Sequence, residues 1–238
     1  MKRLFRSLID FNDMSASALR PHFAQMAHSQ TPEVLMIACS DSRVSPHLLA
    51  SSGPGELFEV RTVGNLIAPA ESNGVSVGDF SEAAAIEYAL EVLGVRDIAV
   101  CGHSNCGAMR ALLKGRAALK AGTPNLCEWL AHGDPSLRRH TSGELADSGR
   151  APEDMLSQVN VLQQLAHIAT YPSVKRLIAA GELRLHGLWF DIQRAEVSLF
   201  EADRNAFVPV DTTEMVRLID AEGVAERSTL TLAAQEKR

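Results

Sequence analysis

Two short stretches of this chain concentrate the residue types that do chemistry. Cys39-Ser40-Asp41-Ser42-Arg43 follows the apolar run Val34-Leu35-Met36-Ile37-Ala38, and His103-Ser104-Asn105-Cys106 follows Asp97-Ile98-Ala99-Val100-Cys101 and Gly102. Each run reads as a short buried strand. Both clusters therefore fall at carboxyl ends of strands, where α/β sheets build their sites. If the two strands are neighbours, Cys39, His103 and Cys106 meet at one point. Two thiolates and one imidazole form a tetrahedral zinc set with three protein ligands, and the fourth position is left for water. His103 and Cys106 are three apart at a turn that opens a helix, so they can point the same way. The helix N-terminus also favours the Cys106 thiolate.

A charge count extends the reading. Zinc with two thiolates is formally neutral, which makes the site a weaker acidifier of water than one built from three imidazoles. Asp41 and Arg43 are placed to help. A bidentate Arg43–Asp41 pair keeps the carboxylate ionised and oriented, ready to accept a hydrogen bond from zinc-bound water or hydroxide. Left free, Asp41 could swing in as a fourth ligand and block catalysis. The other two cysteines read as structural, Cys101 inside an apolar strand and Cys127 beside Trp129. None of the seven histidines other than His103 is singled out.

Competing motifs fail on spacing. Gly102 to Gly107 imitates the start of a phosphate-binding loop, but Ala108-Met109 stands where Lys-Ser/Thr belongs. A cysteine phosphatase needs an arginine six positions after its nucleophile; those positions hold Ser45 and Leu112. No G-x-G-x-x-G occurs, so dinucleotide binding has no support.

The elements that must position these residues follow from periodicity and punctuation. Leu4, Phe5, Leu8 and Ile9, then Leu19, Phe23 and Met26, recur at helical spacing. Glu56 to Val60 is a second strand, and Ser81 is expected to cap a helix running to Gly94. A helix from Ala108 to about Ala121 follows the third strand, and 131–153 reads as a polar surface excursion. Helices over Met155–Thr170 and Pro172–Ala180 precede a strand at 182–190, with Ala195–Phe200 as its hairpin partner. Strand–turn–helix alternation implies an α/β fold with a four- to five-stranded, mostly parallel sheet flanked by helices. The chain of 238 residues is read as a single domain: a helical arm over about 1–30, a core over about 31–200, and a tail over about 210–238.

Composition sets the class. The chain is 46% hydrophobic with net charge −6, an ordinary globular balance and a poor match to nucleic-acid binding, which needs a clustered basic face. Four cysteines are too few for a disulfide framework in a chain this long. There is no 18-residue apolar run, hence no expected membrane span. MKRLFRSLIDFND lacks the apolar stretch of a signal peptide, so a cytoplasmic location is expected.

C-S-D-S-R followed by G-H-S-x-C-G resembles the β-class carbonic anhydrases, in their plant- and cyanobacterial-like form. The likeness extends through QTPEVLMIACSDSRV, GELFEVR, AAAIEYAL, CGHSNCGAM and LRLHGLWFDI. It implies one Zn2+ per subunit on Cys39, His103 and Cys106, an Asp41–Arg43 catalytic dyad, and reversible hydration of CO2 to bicarbonate and a proton. It also implies a substrate-orienting Gln30, an apolar pocket wall from Phe58 and Tyr88 contributed partly across a dimer, and Gly107 beside the metal. Homodimers or larger homo-oligomers are implied, with the N-terminal helices as arms embracing a partner. A relative acting on CS2 or COS, or a non-catalytic zinc protein of a bicarbonate-handling assembly, would use the same ligands. Two features depart from the pattern. Thr62 stands where Asn usually follows Arg61. Met36 and Ala38 stand where bicarbonate-regulated members carry Trp and Gly, so a constitutively open enzyme is expected.

Overall fold

The computed structural model describes residues 1–50 and 52–211, with 213 and 216 beyond them. Most of the expected tail, 210–238, therefore lies outside the described residues. The chain begins with α1 (Lys2–Asp10), continues through one wide π-turn (Phe11–Ser15) into α2 (Ala16–Met26), and none of these residues is buried. Then come β1 (Val34–Cys39), the short α3 (Pro46–Leu49), β2 (Leu57–Thr62), α4 (Phe80–Glu87) and β3 (Asp97–His103). The remainder is α5 (Gly107–Lys114), α6 (Pro124–Trp129), α7 (Asp134–Thr141), α8 (Pro152–Ile168), α9 (Pro172–Ala179), β4 (Arg184–Asp191), β5 (Glu196–Glu201) and β6 (Ala206–Pro209).

Among the described residues one sheet forms, in the order β2-β1-β3-β4-β5-β6. The first four strands are parallel and the last two antiparallel. The α/β class and the hairpin at the late strand are as expected. The count is six rather than four or five, because β6 continues the meander past β5 in a charged stretch too short to show a pattern. β1 and β3 are adjacent, with Ala38 opposite Cys101. The two chemical clusters thus leave neighbouring strands at the same edge.

Alternation across the pleat assigns the two faces. Leu35, Ile37, Ile98 and Val100 face Ile86, Leu90, Val161, Leu165 and Leu177, the apolar sides of α4 and the turn that continues it, α8 and α9. Met36, Ala38, Ala99 and Cys101 face the other way with Val44 and Phe190. That second face carries an apolar cavity of about 60 Å³ lined by Met36, Leu49, Cys101 and Leu188 among others. Of the two positions at which the sequence departs from the regulated pattern, Met36 lines this cavity.

Local details correct several boundaries. Asp79, not Ser81, caps α4: its carboxylate accepts the Ser81 N–H at 2.7 Å. The expected helix from Ala108 stops at Lys114, where Gly115 takes φ +87°. The stretch 131–153 is a surface excursion only in part: it contains α7, with Gly133 and Ser136 buried, whereas most of 142–153 is exposed. Gly102 has no room for a side chain, since a Cβ there would stand 2.7 Å from Val161 Cγ2. Its absence lets α8 lie directly against β3.

Candidate metal centre

The β1 and β3 ends bring Cys39, His103 and Cys106 together, with their sulfur and ring-nitrogen atoms all within 4.8 Å of one another. All three residues are buried. His103 Nδ1 lies 2.9 Å from the Ser104 carbonyl; a carbonyl only accepts, so Nδ1 carries the proton and Nε2 presents its lone pair. That Nε2 is buried without any hydrogen-bond partner. A buried imidazole acceptor left unmet is costly, and here it faces two thiol sulfurs. This donor set fits a zinc ion.

Of the two sulfurs, Cys39 is the one prepared to be anionic. The hydrogen bond from the Cys106 thiol draws Cys39 well below the usual thiol range; burial opposes this, and His103 and the Asp41 N–H add to the lowering. As that donor, Cys106 is itself pushed upward, by its bond to Cys39 and by burial, while the Met109 and Ala108 N–H groups at the start of α5 pull it down. Without a metal the pair shares one proton. A divalent cation removes it. Cys101 behaves differently: burial, helped by the charge on Cys39, raises it to about 12. It stays a thiol, in keeping with a structural role.

Asp41 stands beside the ligands but outside their cluster, its Oδ2 3.9 Å from His103 Nε2. Arg43 holds it bidentately, Nε to Oδ1 at 2.9 Å and Nη2 to Oδ2 at 2.7 Å, and the Arg43 N–H adds a third bond to Oδ1. These bonds, against a smaller opposing effect of burial, hold the Asp41 carboxyl far below the usual carboxylate range. The turn that carries the dyad, between β1 and α3, is fixed by Arg61, whose guanidinium donates to the carbonyls of Cys39, Asp41 and Val44 at 2.7–3.2 Å. Thr62, in place of the usual asparagine, donates its hydroxyl to the Leu66 carbonyl at 2.8 Å and closes the next turn.

Gly107 lies one residue past Cys106, and a Cβ there would meet no atom within 4 Å. Phe58 and Tyr88 pair with each other at 5.9 Å between ring centroids. They are not at this metal centre: Thr62 is level with Cys39 in the sheet, and Phe58 is four residues earlier, about 13 Å down the strand at 3.3 Å per residue. Gln30 is exposed on the connection between α2 and β1.

Sequence reading missed a set of residues on α8. Asp154, Ser157, Asn160, Gln164 and His167 recur at spacings of 3, 3, 4 and 3, one stripe of a helix, and all are buried. Asp154 accepts the Asn105 N–H at 2.6 Å, and Ser157 both accepts from the His103 N–H and donates to its carbonyl. Asn160 donates to the Gly64 carbonyl at 3.0 Å, Gln164 accepts from the Ile67 N–H at 2.8 Å, and His167 Nδ1 donates to the Ile67 carbonyl at 2.7 Å. The stripe braces the loops on which the ligands sit. Polar residues recurring at helical spacing among the apolar ones of α8 were its available signal.

A family model described as carbonic anhydrase matches residues 34–197. The chain is 37% identical over 222 residues to a carbonic anhydrase of Pseudomonas aeruginosa, covering 93% of this chain and 97% of the relative. It is equally identical over 209 residues to one of Synechocystis, covering 87% of this chain and 74% of that one. Among solved structures, the β-carbonic anhydrase CcaA superposes with a TM-score of 0.80 at 36% identity, over 88% of this chain and 99% of that one. A structure described among two tetrameric β-carbonic anhydrases of Sordaria macrospora gives 0.70 at 28% identity, over 84% and 97%.

Proposed function

The chain belongs to the β-class carbonic anhydrases, enzymes of the carbonate dehydratase type, and from that premise we propose that it hydrates CO2 reversibly at a single zinc held by Cys39, His103 and Cys106. The observation that carries this assignment is the buried, unpartnered His103 Nε2 facing two cysteine sulfurs. Bound there, zinc supplies Lewis acidity that brings the ionisation of water toward neutral pH.

The chain's own residues do the rest. Asp41, ionised and pinned by Arg43, accepts a hydrogen bond from the attacking water, fixes its lone pair toward the carbon of CO2 and takes part in removing its proton. Arg43 also keeps Asp41 from turning toward the metal, so the fourth position stays open; this is the constitutively open form. An apolar wall holds CO2, which has no charge to steer by. In this assignment Gly107 leaves room beside the metal, Gln30 donates to a CO2 or bicarbonate oxygen, and Phe58 with Tyr88 forms wall in the site of a partner subunit. That last role is what the family resemblance implies, and their distance from the centre of their own chain supports it. The proposal includes a dimer or larger homo-oligomer, with α1 and α2 as the embracing arms and no nucleic acid or membrane among its partners. Among the described residues no helix is long and apolar enough to cross a membrane; a cytoplasmic location is part of the proposal.

Stopped-flow CO2 hydration by the zinc-loaded protein tests the assignment. Turnover lost on chelation and restored by zinc is the expected result. A fully zinc-loaded sample without activity would overturn it.

A further inference from the structure

The Val63–Gly64 peptide lies between two side chains and the Cys39 sulfur. Its N–H, on Gly64, points at Cys39 Sγ with N···S 3.4 Å. Its C=O, on Val63, accepts the indole Nε1–H of Trp129 at 2.9 Å. The following carbonyl, that of Gly64, accepts the Asn160 amide at 3.0 Å. Gly64 has φ +74° and ψ +18°, and a Cβ on it would stand 2.8 Å from Ala108 Cβ, so glycine is required on both counts. Asn160 is fully buried, and its own oxygen accepts from Ser136 and Gln164 at 2.8 and 2.9 Å. The orientation of the peptide is thus over-determined from both sides.

We propose that Trp129 and Asn160 are positioning residues for the metal centre, holding the Val63–Gly64 peptide as a polarised hydrogen-bond donor to the Cys39 thiolate. The inference rests on the zinc reading above. Donation by Trp129 to the Val63 carbonyl polarises the peptide and strengthens its N–H as a donor, as neighbouring hydrogen bonds in a chain do. The strengthened donor withdraws electron density from the sulfur. A thiolate that gives less charge to the metal leaves it more acidic toward water, which compensates for a ligand set that cancels the charge of zinc. Groups outside the ligand shell regularly tune a metal in this way. Asn160 fixes the far side of Gly64, so that its N–H cannot turn away.

Cobalt(II) substitution in the full-length protein reads this contact directly. Uptake of one cobalt per chain, with an absorption band for thiolate-to-cobalt charge transfer, tests the underlying site; without it the zinc reading itself fails. Trp129→Phe keeps a ring and removes only the N–H donor. The variant is expected to bind cobalt, to keep the ligand-field bands of the tetrahedral site, and to move the charge-transfer band to longer wavelength. In its zinc form it should lose about tenfold in kcat with KM little changed. A charge-transfer band unmoved from that of the parent overturns the proposal. A second measurement needs no substitution: in cadmium-113-loaded, isotope-labelled protein, the Gly64 amide proton should show scalar coupling to the metal through the sulfur. Absence of that coupling, while the cysteine protons show theirs, would also overturn it.

Discussion

Each residue of the centre has a separable task. Cys106→Ser exchanges a thiolate for a poor zinc donor, so metal and activity should vanish together in metal analysis and hydration assays. Asp41→Asn keeps the size of the side chain and Arg43→Ala removes the fork that holds it. Both variants should retain one zinc per chain and lose turnover by roughly 10- to 100-fold, the usual scale for groups that orient a metal's reactive position. Equal loss of metal in all three variants would contradict this division. The Cys39–His103–Cys106 cluster and the Asp41–Arg43 pair were legible in the amino-acid sequence because their chemistry is dense: two cysteines, a histidine and an Asp-x-Arg at strand ends leave few other uses. Arg61 was not legible. A lone arginine at a strand end looks like surface charge, and its binding of three carbonyls depends on a turn whose path only the folded chain reveals.

At the scale of elements, the strands position the chemistry and α8 braces them. β1 and β3 could be read directly, since short continuous apolar runs, here Val34–Cys39 and residues 98–101, belong to strands buried on both faces. The α8 stripe could not. Its polar residues are each unremarkable, and the bond from the Ile67 N–H to Gln164 spans 97 positions. The stability of the sheet offers two checks. Gly102→Ala puts a methyl group 2.7 Å from Val161 Cγ2, which should cost about 1–3 kcal/mol in chemical denaturation. At the start of β3, Asp97 accepts hydrogen bonds from His186 and, bidentately, from Arg184. Burial alone would raise its carboxyl, yet those partners bring it down to about 2. A depressed carboxyl stabilises the fold above its unfolded value, near 4, and loses that contribution as pH falls from about 4 toward 2. Asp97→Asn should therefore cost about 2 kcal/mol at neutral pH, a difference from the parent that closes in this acid window when denaturation midpoints are followed.

The whole molecule has an unfinished surface. Leu4, Phe5, Leu8, Ile9 and Phe11 are about half exposed along α1 and the turn that follows it, more contiguous apolar surface than a lone chain ordinarily displays. Phe58 and Tyr88 stand away from the metal centre of their own chain. Both facts are accounted for if subunits embrace through their arms and complete one another's pockets. Removal of residues 1–26 should then shift sedimentation to a smaller species and lower kcat/KM with zinc still bound; an unchanged assembly would refute the role of the arms. The claim beneath all of this is that one zinc sits on Cys39, His103 and Cys106 with its fourth position open while Arg43 holds Asp41. A crystal structure of the zinc-loaded protein at near-neutral pH tests it most directly. The account predicts two sulfurs at about 2.3 Å, one histidine nitrogen and one solvent oxygen at about 2.0 Å, with the Arg43–Asp41 pair intact. Zinc bound by Asp41, or seated on other residues, would contradict it.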